Sequence, residues 1–266
     1  MIPLGVTVSA RGGARFRALA QAKAREWGLP FVPRAESGGI ELLLETQAEA
    51  LLIVGGTGWV LRDREGELGF GPGMAKVRIK RFESQVHLQQ PDHLVQYGEL
   101  KPGDHVIDAT LGLAVDALVC AHAVGLGGRV EGFEASWPLF LLAREGLATL
   151  EPFAPMCRVE PSFGRAGELL SARATGSADV VLLDPMFDLP KKSSGAFETL
   201  RRHAVHEPLD EATLVEARRV ARRWVLVKAG AWGREFRRLG LTAEPRSKSA
   251  PVQWARVPGS GNVASP

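Results

Sequence analysis

The chain has 266 residues, 45% hydrophobic and 24% charged, an ordinary globular composition that allows one large domain or a domain with a smaller companion. A formal net charge of +3 and a pI of about 9.1 permit a nucleic-acid partner without demanding one, because such binding depends on clustered cations. Two cysteines (Cys120 and Cys157) without a CxxC pair argue against a metal site or disulfide framework, no apolar run approaches the ~18–20 residues of a bilayer span, and MIPLGVTVSARGG is not a secretory signal, so the expected setting is a reducing cytoplasm.

LGVTVSA (residues 4–10) reads as a strand and Gly12-Gly13 as a turn. Phe16, Leu19, Ala20, Lys23 and Trp27 then recur at helical spacing, and Gly28 and Pro30 end that helix. IELLLETQ (40–47) reads as a helix and ALLIV (50–54) as a strand. GWVLRDREGELGFG reads as a hairpin turning around Asp63–Gly66. Together these make a small α/β accessory unit over residues 1–72, bounded by the Gly- and Pro-rich, then basic, stretch GFGPGMAKVRIKRF. If AKVRIKR is a strand, Lys76, Arg78 and Lys80 share one face. That face would either contact phosphate or guard an exposed sheet edge.

From residue 104 the pattern alternates between strand and helix. HVIDA (105–109), GRVEGFEA (128–135), RVEPS (158–162), ADVVLLD (178–184) and WVLVKA (224–229) read as strands. Helices are expected over 113–124, after Ser136 with Pro138 in the first turn, and over 207–223 with Asp210 as cap. LTAEPRSKSAPVQWARV (241–257) reads as two strands and a turn, which closes a core of residues 73–257, and 258–266 reads as a loose tail. The alternation implies an α/β fold with a mostly parallel sheet covered on both faces and a C-terminal antiparallel hairpin.

Ligands of such sheets bind beyond the carboxyl ends of the strands. That rule selects Asp108, Glu134 and Asp184, each at or near a strand end. After Asp108 comes Gly112, flanked by the small residues Thr110 and Ala114, where a ligand can approach the backbone. A GxGxxG pyrophosphate cradle is absent, so a ligand without phosphates fits better. Glu134 can accept both hydroxyls of a ribose, whereas Glu131, three residues earlier, points to the opposite face. Asp116 either complements the start of its helix or meets a ligand amino group. Asp184-Pro185-Met186-Phe187 fits the pattern (Asp/Asn)-Pro-x-(Phe/Tyr). Asp184 and the Pro185 carbonyl can accept the two N–H groups of an exocyclic amine while Phe187 stacks on the ring.

DATLGLAVDALV, GFEAS and LLDPMF together resemble the class I S-adenosylmethionine-dependent methyltransferases, and more narrowly the bacterial RsmJ-like family, which methylates a guanine N2 in small-subunit ribosomal RNA. The resemblance covers roughly residues 74–230 and implies a Rossmann-like core with S-adenosylmethionine as cofactor and RNA as partner. It implies that Asp108, Thr110, Gly112 and Asp116 border the cofactor's methionine end, and that Glu134, with Ala135 beside it, takes the ribose. Gly164-Arg165-Ala166 stands where the family has Gly-Ser-Ser near the adenine, which puts Arg165 at that end. The loop bearing Lys191 and Lys192, with Arg201 and Arg202 beyond, takes the place of the family's basic substrate loop.

ARRVARR (217–223) reads as a solvated helix face, and Lys228, ending the fifth strand, is placed to face the site. A nicotinamide-dependent oxidoreductase is the competing enzyme reading. The missing glycines oppose it, as does the lone tyrosine, Tyr97, lying upstream of the core. A non-catalytic RNA-binding protein would not need the Asp184–Phe187 set. The same chemistry on a protein amide or small amine stays open.

Overall fold

The chain divides into two units in a computed structural model that describes residues 3–34, 40–46, 48–83, 92–186, 195–231, 233–245 and 252–262. In chain order the elements are β1 (Leu4–Val8), α1 (Gly13–Trp27), α2 (Ile40–Thr46), β2 (Ala50–Gly55), β3 (Gly58–Asp63), β4 (Glu67–Gly69), α3 (Gly73–Glu83), α4 (His93–Gly98), β5 (His105–Asp108) and α5 (Val115–Val124). There follow β6 (Arg129–Glu134), α6 (Trp137–Ala148), β7 (Val159–Phe163), α7 (Ala166–Ser171), β8 (Ala178–Leu183), α8 (Gly195–His203), α9 (Glu211–Val220), β9 (Ala221–Gly230), α10 (Arg234–Leu239) and β10 (Val252–Pro258). Among the described residues no helix is long and apolar enough to cross a membrane.

The first unit comprises Met1–Gly71, Trp137–Leu150 and Lys191–Ala204. Its sheet has the order β1-β2-β3-β4, with β1 and β2 parallel and the other pairs antiparallel. α1 buries Ala20, Ala24 and Trp27 and leaves Leu19 37% exposed, so its inward stripe runs through two small residues to a tryptophan at its end. Asp63 builds the hairpin turn: its Oδ1 accepts from Glu65 N (2.9 Å) and Gly66 N (2.8 Å). Two segments from far along the chain complete this unit, a composition that a boundary at residue 72 does not anticipate. α6 packs on β3 and α8 on β4. A Cβ at Gly146 of α6 would lie 2.0 Å from Phe70 Cγ, so the ring rests directly on helix backbone.

The second unit comprises Pro72–Ser136, Glu151–Pro190 and Val205–Pro266. Its six-stranded sheet has the order β10-β9-β8-β5-β6-β7. All pairs are parallel except β10 with β9. The central strands carry runs such as Val180–Leu183 and Val225–Ala229 that are buried throughout, as a sheet covered on both faces requires. β5 lies between β6 and β8, so the strand order reverses at its carboxyl end and opens a crevice there.

Four local expectations change. AKVRIKR is not a strand but the body of α3. Val77 and Ile79 alternate with cations as in a strand, yet the burial follows helical spacing, with Ala75 and Ile79 four apart facing inward. The helix expected over 207–223 is α9, capped by Asp210 through Thr213 N (2.7 Å), and it stops at Val220. Arg222 and Arg223 instead lie in β9 and reach Asp179 and Asp104, and Arg219 pairs with Glu216, so this stretch is not one helix face, although Arg218 and Arg222 stay exposed. Over 241–257 only β10 is a described strand, although Glu244 N donates to Trp254 O (2.7 Å), and 246–251 lie outside the described residues. The start of the expected loose tail is tied to β9: Gly259 N donates to Arg223 O (2.9 Å) and Ser260 Oγ to Ala221 O (3.0 Å).

Candidate active site

The crevice at the end of β5 is framed by the loop 109–114. Leu111 N donates to Phe133 O at 2.8 Å, and the Leu111 side chain lies over Gly132 of β6. A Cβ at Gly132 would come within 2.4 Å of Leu111 Cδ1, so glycine is what lets the loop settle on the sheet. The backbone then passes through two left-handed residues, Gly112 (φ 51°) and Ala114 (φ 60°). For alanine that conformation costs on the order of 1 kcal/mol. Among the described residues, chain neighbours apart, no atom lies within 4 Å of where a Cβ would sit on Gly112, so that side of the loop is open with respect to them.

Glu134, at the end of β6, is buried and held by backbone donors. Its Oε2 accepts from Gly112 N and its Oε1 from Ser136 N, both at 2.8 Å. Burial raises its pKa, and these N–H groups work against that rise. Glu131 faces away, engaged by His105 Nε2 (2.8 Å) and Arg173. Ala135 is half-buried beside Glu134.

Asp184 follows β8. Its backbone N donates to Thr110 Oγ1 (2.6 Å), which ties the β5 and β8 ends together. Its Oδ2 accepts from Lys228 Nζ (2.8 Å), and the side chain keeps 27% exposure, enough to meet a ligand. Lys228 rises from β9 over the Trp254 ring (5.0 Å) and also donates to Asp116 in the first turn of α5. Arg78 of α3 reaches the other oxygen of Asp116 (2.5 Å) and grips Asp92 with two bonds (2.8 and 2.9 Å). Asp92 caps α4 by accepting from Leu94 N (3.0 Å).

Electrostatics divide the carboxyl groups of this network. Burial, then the charge of Asp116, pushes Asp108 up to about 8, so it holds a proton near neutral pH. Burial also opposes ionisation of Asp116, but Lys228 and Arg78 outweigh it and draw the carboxyl down to about 2. Burial raises Asp184 and the nearby Asp116 charge adds to it, while Lys228 limits the rise. Lys228 and Arg78 lose by burial yet are held charged by these carboxylates.

The fold thus gathers Asp108, Thr110, Gly112, Asp116, Glu134, Ala135, Asp184 and the buried Pro185 at the carboxyl ends of one sheet. Phe187, Lys191 and Lys192 lie outside the described residues. Arg165 is exposed on the residue before α7 and paired with Glu207, so its guanidinium is already engaged. Arg201 and Arg202 belong to α8 in the first unit. There Arg202 forms a two-bond pair with Asp63 (2.8 and 2.9 Å), and together with the turn N–H groups it overcomes burial and lowers Asp63 to about 2. Arg78 and Asp92 were not anticipated in the site. The signals available were the spacing of Ala75 and Ile79 around Arg78, and an aspartate just before the apolar turn HLVQYG.

A family model described as "Putative SAM-dependent methyltransferase" matches residues 78–245. The uncharacterized protein YpiP of Bacillus subtilis (strain 168) is 32% identical over 248 residues, covering 91% of this chain and 94% of that protein. Ribosomal RNA small subunit methyltransferase J of Neisseria meningitidis (serogroup C, strain 053442) is 30% identical over 210 residues, covering 75% of this chain and 78% of that one. A solved structure of a SAM-dependent methyltransferase from Aquifex aeolicus has a TM-score of 0.43 at 15% identity, covering 70% of this chain and 98% of that one.

Proposed function

The chain belongs to the S-adenosylmethionine-dependent methyltransferase family, and on that premise we propose that it methylates an exocyclic amino nitrogen of a base in ribosomal RNA. The cofactor, when bound, supplies an electrophilic methyl group on a positively charged sulfur. The site suits it. Among the described residues Asp92, Asp116 and Asp184 share two paired cations, Arg78 and Lys228, so added positive charge is favourable there. Gly112 leaves an open backbone face, and Glu134 is held rigidly at the neighbouring strand end, where it can accept ribose hydroxyls.

The observation that carries the reading is the placement of Asp184. Its backbone is tied to Thr110, its side chain is shared with Lys228, and it remains part-exposed at the crevice. In this reading the Asp184 carboxylate and the Pro185 carbonyl each accept one N–H of the amine. Held so, the nitrogen lone pair is turned out of conjugation with the ring and toward the methyl carbon. The bound cofactor would supply the methyl group to this nitrogen and leave as the neutral thioether, and the nitrogen's proton would pass to Asp184 or to water. Burial favours Asp184 as a proton acceptor by raising its pKa, and Lys228 limits that rise. From their sequence positions, Phe187 is assigned to stacking on the base and Lys191 and Lys192 to phosphate. The base must be unpaired or extruded to enter.

Support for RNA as the substrate comes from the Neisseria relative, named for small-subunit ribosomal RNA. The test is methyl transfer from labelled cofactor to naked ribosomal RNA, small subunits and whole-cell protein, followed by mapping of the product. Label on a base amino group is expected. Label appearing only in protein overturns the reading.

A further inference from the structure

Only one side of α3 faces the carboxylate network. Its inner side buries Ala75 and Ile79 and sends Arg78 to Asp92 and Asp116. On its outer side Met74 is 62% and Val77 43% exposed, although aliphatic side chains gain by burial. Lys76, Lys80 and Arg81 are exposed around them. Helical neighbours three and four apart make one patch of these residues, Met74 next to Val77, and Val77 next to Lys80 and Arg81. Lys76 extends it by lying 4.9 Å from the Phe153 ring centroid. The acid on the same helix, Glu83, faces His122 (3.5 Å). Among the described residues no carboxylate pairs with Lys76, Lys80 or Arg81.

A solvated helix face would carry the cations without the aliphatic pair. Single-stranded RNA answers both features, since its phosphates need cations and its unstacked bases and riboses offer apolar surface. Charge complementarity therefore selects a polyanion, and the exposed Met74 and Val77 select one with apolar faces. The site is close by. About 10 Å, the width of a helix, separates this face from the side where Arg78 meets Asp116.

We propose that the outer face of α3 (Met74, Lys76, Val77, Lys80 and Arg81) docks single-stranded RNA flanking the target base. This rests on the reading that the substrate is RNA. Lys76, Lys80 and Arg81 contact phosphates, and Met74 and Val77 pack on a base or ribose.

Two variants of the full chain test it, Lys76→Gln/Lys80→Gln/Arg81→Gln and Met74→Ser/Val77→Ser. Each is compared with wild type for binding to a fluorescent single-stranded RNA over a salt series, for KM and kcat of transfer to RNA, and for cofactor affinity and Tm. The charge variant is expected to bind RNA roughly tenfold or more weakly, with a log–log salt slope reduced by about 2, from three contacts at about 0.7 each. The apolar variant is expected to weaken binding at an unchanged slope. In both, KM for RNA rises while kcat, cofactor affinity and Tm hold. RNA affinity and KM equal to wild type in both variants overturn the docking surface and leave the RNA substrate standing. A loss seen only with assembled subunits, with naked-RNA affinity intact, also overturns it, pointing to a ribosomal protein. Wild type that neither binds nor methylates RNA overturns the substrate reading itself.

Discussion

Lys228 Nζ lies 2.8 Å from Asp184 Oδ2 and also donates to Asp116, so one ammonium is shared by the carboxylate after β8 and the carboxylate that opens α5. All three side chains are largely buried, which makes each depend on the others' charge. Lys228→Met leaves two carboxylates with Arg78 as their remaining cation. The expected result is a loss of about 3 kcal/mol in stability and of about 100-fold in kcat. Asp116, now near 2, ionises below its ordinary 3.8, so it stabilises the fold above about pH 4 and ceases to as pH falls through about 2. Without Lys228 that protection shrinks, and acid unfolding begins at higher pH. Circular dichroism over an acid titration and steady-state kinetics check both, with Lys228→Arg expected to recover part of each.

Asp184→Ala removes the proposed acceptor of the substrate amine and is expected to abolish transfer, a drop of at least about 10³-fold. Cofactor binding by calorimetry should persist, because Glu134 and the Gly112 loop are untouched. Asp184→Asn keeps one acceptor oxygen and should fall between the two. Turnover retained in the alanine variant would end the assignment.

Glu134→Gln replaces an oxygen acceptor by an N–H₂ group that must face Gly112 N or Ser136 N. A cofactor affinity roughly 10–100-fold weaker is expected, as for loss of one charged hydrogen bond. The kcat at saturating cofactor should be largely kept, since the change acts on binding. An unchanged dissociation constant would remove Glu134 from the ribose.

Asp108 provides a pH test independent of activity. Burial first, and Asp116 second, raise it from 3.8 to about 8. The folded protein therefore keeps a proton that the unfolded chain gives up near pH 4. This contribution to stability is complete below that pH and is lost as pH rises through about 8, by up to about 1.4 kcal/mol per pH unit. Asp108→Asn has no such proton to lose. Denaturant unfolding at pH 5, 6.5 and 8 should show the variant gaining on wild type as pH rises. Parallel profiles would mean that Asp108 is ionised throughout.

Much of the site could be read from the sequence because strand ends are local signals. Asp184 follows the apolar run Val180–Leu183, which fixes both the strand and where it stops, and Asp108 and Glu134 close shorter strands that the alternation with helices marks out. Gly112 likewise declares a turn. The ion pairs were not legible, since their partners are chosen by the tertiary fold. Arg78 finds Asp92 and Asp116 at 14 and 38 residues' distance, and its own helix looks strand-like because Val77 and Ile79 alternate with cations. Arg165 and Arg202 sit near the motifs in sequence, but Glu207 and Asp63 take them, 42 and 139 residues away.

The first unit also has a timetable. The sheet of β1–β4 is complete in sequence by Gly69, but the helices that pack on β3 and β4 are α6 and α8, and α8 ends only at His203. At about 5–20 residues per second, translation leaves the nascent sheet without these covers for on the order of ten seconds. For this chain the order of synthesis is not the order of folding. β3 and β4 wait for helices encoded inside and beyond the methyltransferase motifs, whereas α1, made early, already packs on β1 and β2.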